Sequence, residues 1–255
     1  MPTQNQIKNL SVKLKEYRKR YMKKAYADLD ESATRLMVNS LLTDVFGYTE
    51  LDEIKTEYRI RGEYADYVIQ LARKKHFVVE VKSIQLDLTE KHLRQSVNYA
   101  ANEGIDWIIL TNGKQIELYK VLFEKPINSR KIFDFDISNK DDFKKMSEFL
   151  VYLTKKSVEK NELTDFWKRF EALEAVQLGK NLYDVQVVKF LKKVLKKKTD
   201  LSFSENDILD SIHKIITTKI ESNKPKTPTS ILTNKKKEKQ NTSDNSVYTA
   251  PASQS

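Results

Sequence analysis

The sequence predicts an α/β fold, and three observations carry that expectation. Apolar residues recur at helical spacing up to about residue 46. The period then shortens to alternation in short runs between residues 58 and 121, with one helical stretch between them. Helical spacing returns from about residue 141 and persists to 221. Period is the primary signal for element type, because side chains repeat every 3.6 residues on a helix and every two on a strand.

The elements follow in order. Residues 5–26 place Ile7, Leu10, Leu14, Tyr17 and Tyr21 on one stripe with Lys and Arg between them, an amphipathic basic helix. Asp28 and Asp30 offer caps for a second helix from Glu31 to about Phe46, and Gly47 is a suitable stop. Residues 58–61, 64–71 and 77–82 read as a three-stranded meander, with turns at Gly62-Glu63 and Arg73-Lys74-Lys75. A helix over about 89–103 carries Leu93, Val97 and Ala100 on one side and ends at Gly104. Residues 107–111 and 116–121 form a strand pair around Asn112-Gly113, which predicts a two-residue hairpin loop. Helices are expected at 142–156, 165–178, 185–198 and 205–219, the last behind a Ser204/Asp207 capping box. From 222 the chain is Lys, Asn, Ser, Thr, Pro and Gln, the composition of a disordered tail. The expected organisation is a basic helix (1–27), an α/β core (28–135), a helical region (136–221) and that tail (222–255).

Composition narrows the function classes. Hydrophobic residues make up 39% and charged residues 32%, so the chain is globular but polar. No apolar run approaches the roughly 20 residues a spanning helix needs, and the N-terminus lacks the apolar region of a secretory signal. A cytoplasmic protein with no membrane partner is expected. Cysteine is absent, which excludes disulfides, thiolate metal sites and a cysteine nucleophile. The net charge is +10, but segments 1–30, 180–198 and 222–255 carry +5, +6 and +4, leaving −5 for the rest. Basic flanks around an acidic middle suit a polyanion held peripherally and a centre that attracts cations. Solvated helix faces are the plainer account of each lysine run.

The acidic middle has one feature that alternation alone makes conspicuous. In 77–82, Phe-Val-Val-Glu-Val-Lys, residues Val78, Glu80 and Lys82 share a face of a strand that otherwise reads as buried. Burying ions is costly unless they pair or hold a metal. The preceding strand carries Asp66 in an apolar context, and a hairpin would set it opposite Glu80. Two carboxylates suit Mg²⁺, with Mn²⁺ as a substitute, because that ion takes oxygen ligands from one or two carboxylates and keeps waters for substrate. Asp66, Glu80 and the Val81 carbonyl form the expected metal site. Lys82 would stabilise charge on a phosphodiester under attack or orient the attacking water. Glu31 would add a ligand or hold a metal-bound water, or would simply cap its helix.

These residues resemble the PD-(D/E)xK nuclease motif: Asp66, then Glu80-Val81-Lys82, within the order helix, three strands, helix, strand pair. Gln95 and Tyr99 add a Q-x-x-x-Y pattern. With Asp30-Glu-Ser-Ala-Thr-Arg35, Leu110-Thr-Asn-Gly113 and Leu118-Tyr119, the stretch 28–122 resembles the N-terminal nuclease domain of type I restriction enzyme R subunits. The resemblance implies a restriction-endonuclease-like core and a metal-dependent endonuclease, with Gln95 and Tyr99 in the catalytic set. It implies DNA as substrate, in a restriction, defence or repair setting. Ala65 stands where the family has proline. No G-x-x-x-x-G-K-[ST] is present, so motor activity does not carry over.

Around that set, Lys91 and Arg94 are neighbours on one helix, placed to touch phosphates or to be solvated. Lys192, Lys193 and Lys196 form a candidate sequence-independent phosphate clamp or a solvated face. Gln95 has a solvated helix position as its plainer account, and Tyr99 has core packing. The competing function is a catalytically silent module that binds nucleic acid or protein on the same fold. RNA cleavage, a homodimer and other subunits of a defence system are all compatible with these residues.

Overall fold

A computed structural model describes residues 1–60, 63–139 and 143–217. The expected tail from 222, and Gly62 of the first expected turn, lie outside the described residues. Residues 1–177 form one compact unit, and Leu178 begins a second.

The first unit is built on a six-stranded sheet in sequence order: β1 Ile54–Ile60, β2 Glu63–Leu71, β3 Lys74–Val81, β4 Trp107–Thr111, β5 Gln115–Leu122 and β6 Asn128–Asp136. Helices α1 Gln4–Tyr21, α2 Glu31–Ser40 and α3 Arg94–Glu103 flank it, with α4 Phe143–Leu150, α5 Lys155–Glu159 and α6 Glu162–Ala172 following, and the division between the units falls within α7 Ala175–Leu182. All neighbouring strands are antiparallel except β3 and β4, which α3 connects in parallel. A parallel pair covered on both faces should be apolar throughout, and every residue of β4 is buried.

The sheet separates two cores. On one side Phe77, Val79, Val81 and Ile109 pack with residues of α1, α2, α4 and α6. On the other Val78, Ile108, Leu110 and Tyr119 pack with Leu93, Tyr99 and Ala100. The expected basic helix is part of the first core, since Leu10, Leu14 and Tyr17 are buried while its lysines face water. Trp107 meets Trp167 of α6 edge to face, with ring centroids 6.1 Å apart.

Four details differ from expectation. The sheet gains β6, whose sequence Asn-Ser-Arg-Lys-Ile-Phe-Asp-Phe-Asp is too charged to read as a strand. It forms because β5 offers a free edge, and Phe133 and Phe135 pair with Leu118 and Ile116. The second helix does not run regularly to Phe46: it widens at 41–45 into a π turn, where the Phe46 N–H donates to the Leu41 carbonyl at 3.0 Å. Expected helix 142–156 breaks at Thr154, which is extended, and 165–178 is divided between α6 and α7. Asn112-Gly113 does turn the chain, but three residues separate β4 from β5. The Asn112 carboxamide oxygen accepts from the backbone N–H groups of Lys114 (3.2 Å) and Gln115 (2.7 Å), which closes a longer loop.

Gly113 has φ +77°, and a Cβ there would lie 3.2 Å from Met37 Cε. Its carbonyl accepts from the Tyr17 hydroxyl at 2.9 Å, tying α1 to the hairpin. Gly113→Ala is therefore expected to destabilise the first unit by about 1–2 kcal/mol, the strain of a left-handed non-glycine residue. A urea titration would read this, and an unchanged midpoint would contradict it.

In the second unit, α8 Val185–Thr199 and α9 Glu205–Thr217 pack around Val188, Ile208 and Ile212. The expected capping box is present: the Ser204 N–H donates to Asp207 at 2.8 Å, and the Asp207 N–H donates to the Ser204 hydroxyl at 3.1 Å.

Candidate functional site

The site forms where β2 and β3 part. Their ladder runs from Leu71↔Lys74 to Tyr67↔Val79. One step further Asp66 comes level with Glu80. Here Asp66 Oδ2 accepts the Val81 backbone N–H at 2.7 Å, so a side chain provides the acceptor. Strand alternation fails at this point, since Ala65 and Tyr67 pack in opposite cores. On the far side β3 stays paired with β4, and the Lys82 N–H donates to the Thr111 carbonyl at 2.9 Å.

Helix α2 places its first turn over this parting. Asp30 caps it, accepting the Ala33 N–H at 2.8 Å. Buried Thr34 donates to the Asp30 carbonyl at 2.7 Å and accepts the Ile84 N–H at 3.1 Å. That bond fixes the helix to the segment leaving β3. Glu31 and Arg35, one turn apart, are thereby held above Asp66, Glu80 and Lys82.

The result is an alternating chain of charges. Asp66 Oδ1 accepts from Arg35 Nη2 at 2.5 Å, and the same nitrogen lies 3.1 Å from Glu31 Oε1. Glu31 Oε2 is 3.9 Å from Lys82 Nζ, which donates to Glu80 Oε1 at 2.5 Å. Glu80 Oε2 accepts the Ser96 hydroxyl of α3 at 2.7 Å. Three acids and two bases leave one net negative charge. Glu80 and Asp66 are largely enclosed, with side chains 10% and 12% exposed, whereas Glu31 is 41% exposed.

Burial pushes the Glu80 carboxyl above the usual carboxylate range, and the Asp66 charge adds to this against hydrogen bonds from Lys82 and Ser96. Burial also opposes the charge on Lys82, but its hydrogen bond to Glu80 and the charges of Glu80, Glu31 and Asp66 outweigh it and hold the ammonium above its ordinary value. A carboxyl whose folded pKa is raised contributes stability below its unfolded pKa and loses it as pH rises through the folded value. Glu80→Gln removes that loss. The variant should therefore gain stability relative to the parent as pH rises from about 4 to 7. Urea melts across that range test this, and a difference that does not grow with pH would contradict it.

The sequence-derived site residues divide clearly. Glu31, Asp66, Glu80 and Lys82 form one cluster, and the Val81 carbonyl accepts from Lys82 Nζ at 3.1 Å. Lys91, Arg94 and exposed Gln95 line an open cleft of about 510 Å³ together with Glu80, Lys82, His92 and Asn98. Tyr99 is on the same helix but is 1% exposed and packs in the core beneath the sheet. Lys192, Lys193 and Lys196 belong to α8 in the second unit.

Arg35, Thr34 and Ser96 were not anticipated as site residues. Arg35 had a signal in its i,i+4 spacing from Glu31. Ser96 had one as a hydroxyl within an otherwise apolar helix face.

Among the described residues, no group of three or more His, Asp or Glu side chains is arranged to hold a metal ion. The donor set still fits a small divalent ion, which needs only one or two carboxylates besides water. The Lys82 ammonium, itself a cation, already touches Glu80 Oε1 and the Val81 carbonyl. Asp66, Glu80 and Val81 are the residues that would hold the ion.

Fold and cluster together define a class: a mixed α/β domain with an acid–acid–lysine set where a central strand ends, beneath an open cleft. Residues 30–132 match the family described as Type I restriction enzyme R protein N terminus (HSDR_N), a span that contains Glu31, Asp66, Glu80, Lys82 and most of the sheet. The resemblance seen in the sequence is thus to that family, and the match continues into β6. A search of curated proteins and a search of solved structures each found no match. No helix among the described residues is long and apolar enough to cross a membrane.

Proposed function

We propose that this chain is a metal-dependent nuclease of a restriction system, or of a related defence or repair system, that hydrolyses phosphodiester bonds in DNA. Residues 28–135 would be its restriction-endonuclease-like core, acting in the cytoplasm. The observation that carries the reading is the convergence of Asp66, Glu80, the Val81 carbonyl and Lys82 at one point, inside the span that matches a restriction-enzyme family.

Asp66 and Glu80 would hold Mg²⁺, or Mn²⁺ in its place, with the Val81 carbonyl. The ion, when bound, would neutralise charge on the phosphodiester and lower the pKa of a bound water. Lys82 keeps its proton at neutral pH. Released from Glu80, it would donate to a phosphoryl oxygen as negative charge develops there. Gln95, exposed in the same cleft, would orient the substrate or the attacking water. Lys91 and Arg94 at the rim would contact flanking phosphates, which positions the backbone without reading sequence. The α8 lysines would supply further grip on phosphates, and a motor, where one is needed, would come from partner subunits.

Cleavage of supercoiled plasmid by the purified chain with Mg²⁺ or Mn²⁺, abolished by EDTA, is the test. Parallel single-stranded DNA and RNA substrates define the preference. A second reading has one observation in its favour: both carboxylates already have cationic partners, Arg35 and Lys82. A silent nucleic-acid- or protein-binding module would need no more than that. Mobility-shift binding without cleavage under either metal would select it.

A further inference from the structure

The two buried carboxylates are held in the same way. Each has one oxygen on a neutral donor fixed by secondary structure: Asp66 Oδ2 on the Val81 N–H, and Glu80 Oε2 on the Ser96 hydroxyl, both at 2.7 Å. Each has its other oxygen on a side-chain cation: Arg35 for Asp66 and Lys82 for Glu80, both at 2.5 Å. The neutral donors orient the carboxylates, and the cations balance their charge. Lys82 has a role in the proposed reaction, whereas Arg35 has none.

The contact Arg35 makes is not that of a permanent anchor. Guanidinium groups that fix carboxylates frequently do so through two parallel N–H bonds. Here a single nitrogen, Nη2, serves both Asp66 and Glu31, and buried Nε has no hydrogen-bond partner. Glu31 lies one turn before Arg35 on the same helix and is more exposed than Asp66. A guanidinium leaving Asp66 already touches the carboxylate that can keep it.

We propose that Arg35 is the counter-charge of Asp66 in the metal-free protein, displaced toward Glu31 when a divalent cation binds, and that it thereby limits the affinity of the site for that cation. This rests on the metal-dependent reading above. Arg35 is not itself a ligand or a catalytic residue. It acts through Asp66, and a positive charge beside a ligand carboxylate repels an incoming cation.

Calorimetric titration of the metal-free chain, residues 1–255, with MnCl₂ and MgCl₂ tests this, with folding checked by circular dichroism. Arg35→Met and Arg35→Gln are expected to bind either ion about tenfold more tightly than the parent, or about 1.4 kcal/mol. Arg35→Lys, which keeps the charge, should bind like the parent. Equal or weaker binding by the neutral variants, with clear binding by the parent, would overturn the inference and show that Arg35 holds Asp66 in its ligand position. If one neutral variant fails to fold, the other gives the same comparison. Absence of binding by the parent would instead remove the metal-dependent reading, and this inference with it.

Discussion

Glu80→Gln is expected to lower the rate of DNA cleavage by about 10³-fold or more while leaving the fold intact. The substitution preserves shape and can still accept the Ser96 hydroxyl through its amide oxygen. What it removes is charge. A neutral amide is a poor ligand for a hard divalent ion, and Lys82 loses the negative charge that keeps its ammonium above the ordinary value. Removal of one preorganised electrostatic group from an active site typically costs about 10²–10³ in rate, and Glu80 would act on both the ion and the lysine. Stability should move the other way at neutral pH, because burial makes the ionised carboxylate unfavourable. A variant that is more stable yet inactive is the pattern expected where function keeps a charge in an apolar strand. Single-turnover cleavage alongside urea melts separates the two effects. Parent-like cleavage by this variant would remove Glu80 from the mechanism.

Asp66→Asn and Asp66→Ala should both abolish cleavage but differ in stability. Asp66 holds the Val81 N–H where β2 and β3 part, and it takes Arg35 on its other oxygen. Asparagine can keep the bond to Val81 and should cost under about 1 kcal/mol. Alanine leaves the Val81 N–H without its acceptor and Arg35 with Glu31 as its remaining partner, a loss of about 1–3 kcal/mol. Equal stability of the two would mean that the Val81 bond contributes nothing to the strand geometry. Cleavage surviving in either would mean that the aspartate is not part of the catalytic set.

Much of this arrangement was legible because it follows from period. Alternation alone put Glu80 and Lys82 on one face, and hairpin pairing brought Asp66 to the same level. Helix α2 began where its cap indicated, with Asp30 as N-cap. What was not legible depends on tertiary partners. Strand β6 carries too few apolar residues to announce itself, and it exists because β5 has an edge to pair with. The Asn112-Gly113 loop is longer than its dipeptide suggests because the Asn112 side chain is drawn inward, donating to the Leu86 carbonyl at 2.9 Å. Arg35 belongs to the site only because Thr34 fixes the α2 terminus against the chain leaving β3, a contact that spans fifty residues. Gln95 and Tyr99 show the limit of a pattern taken from resemblance: four residues apart on one helix, one faces the cleft and the other is enclosed in the core.

The central claim is that Asp66 and Glu80 share one divalent ion. Anomalous diffraction from crystals grown with Mn²⁺ tests it directly. The account predicts a single strong peak between the two carboxylates and within coordination distance of both, with the Lys82 ammonium moved off Glu80. A peak elsewhere, or no peak with Lys82 and Arg35 still seated on the carboxylates, would contradict it.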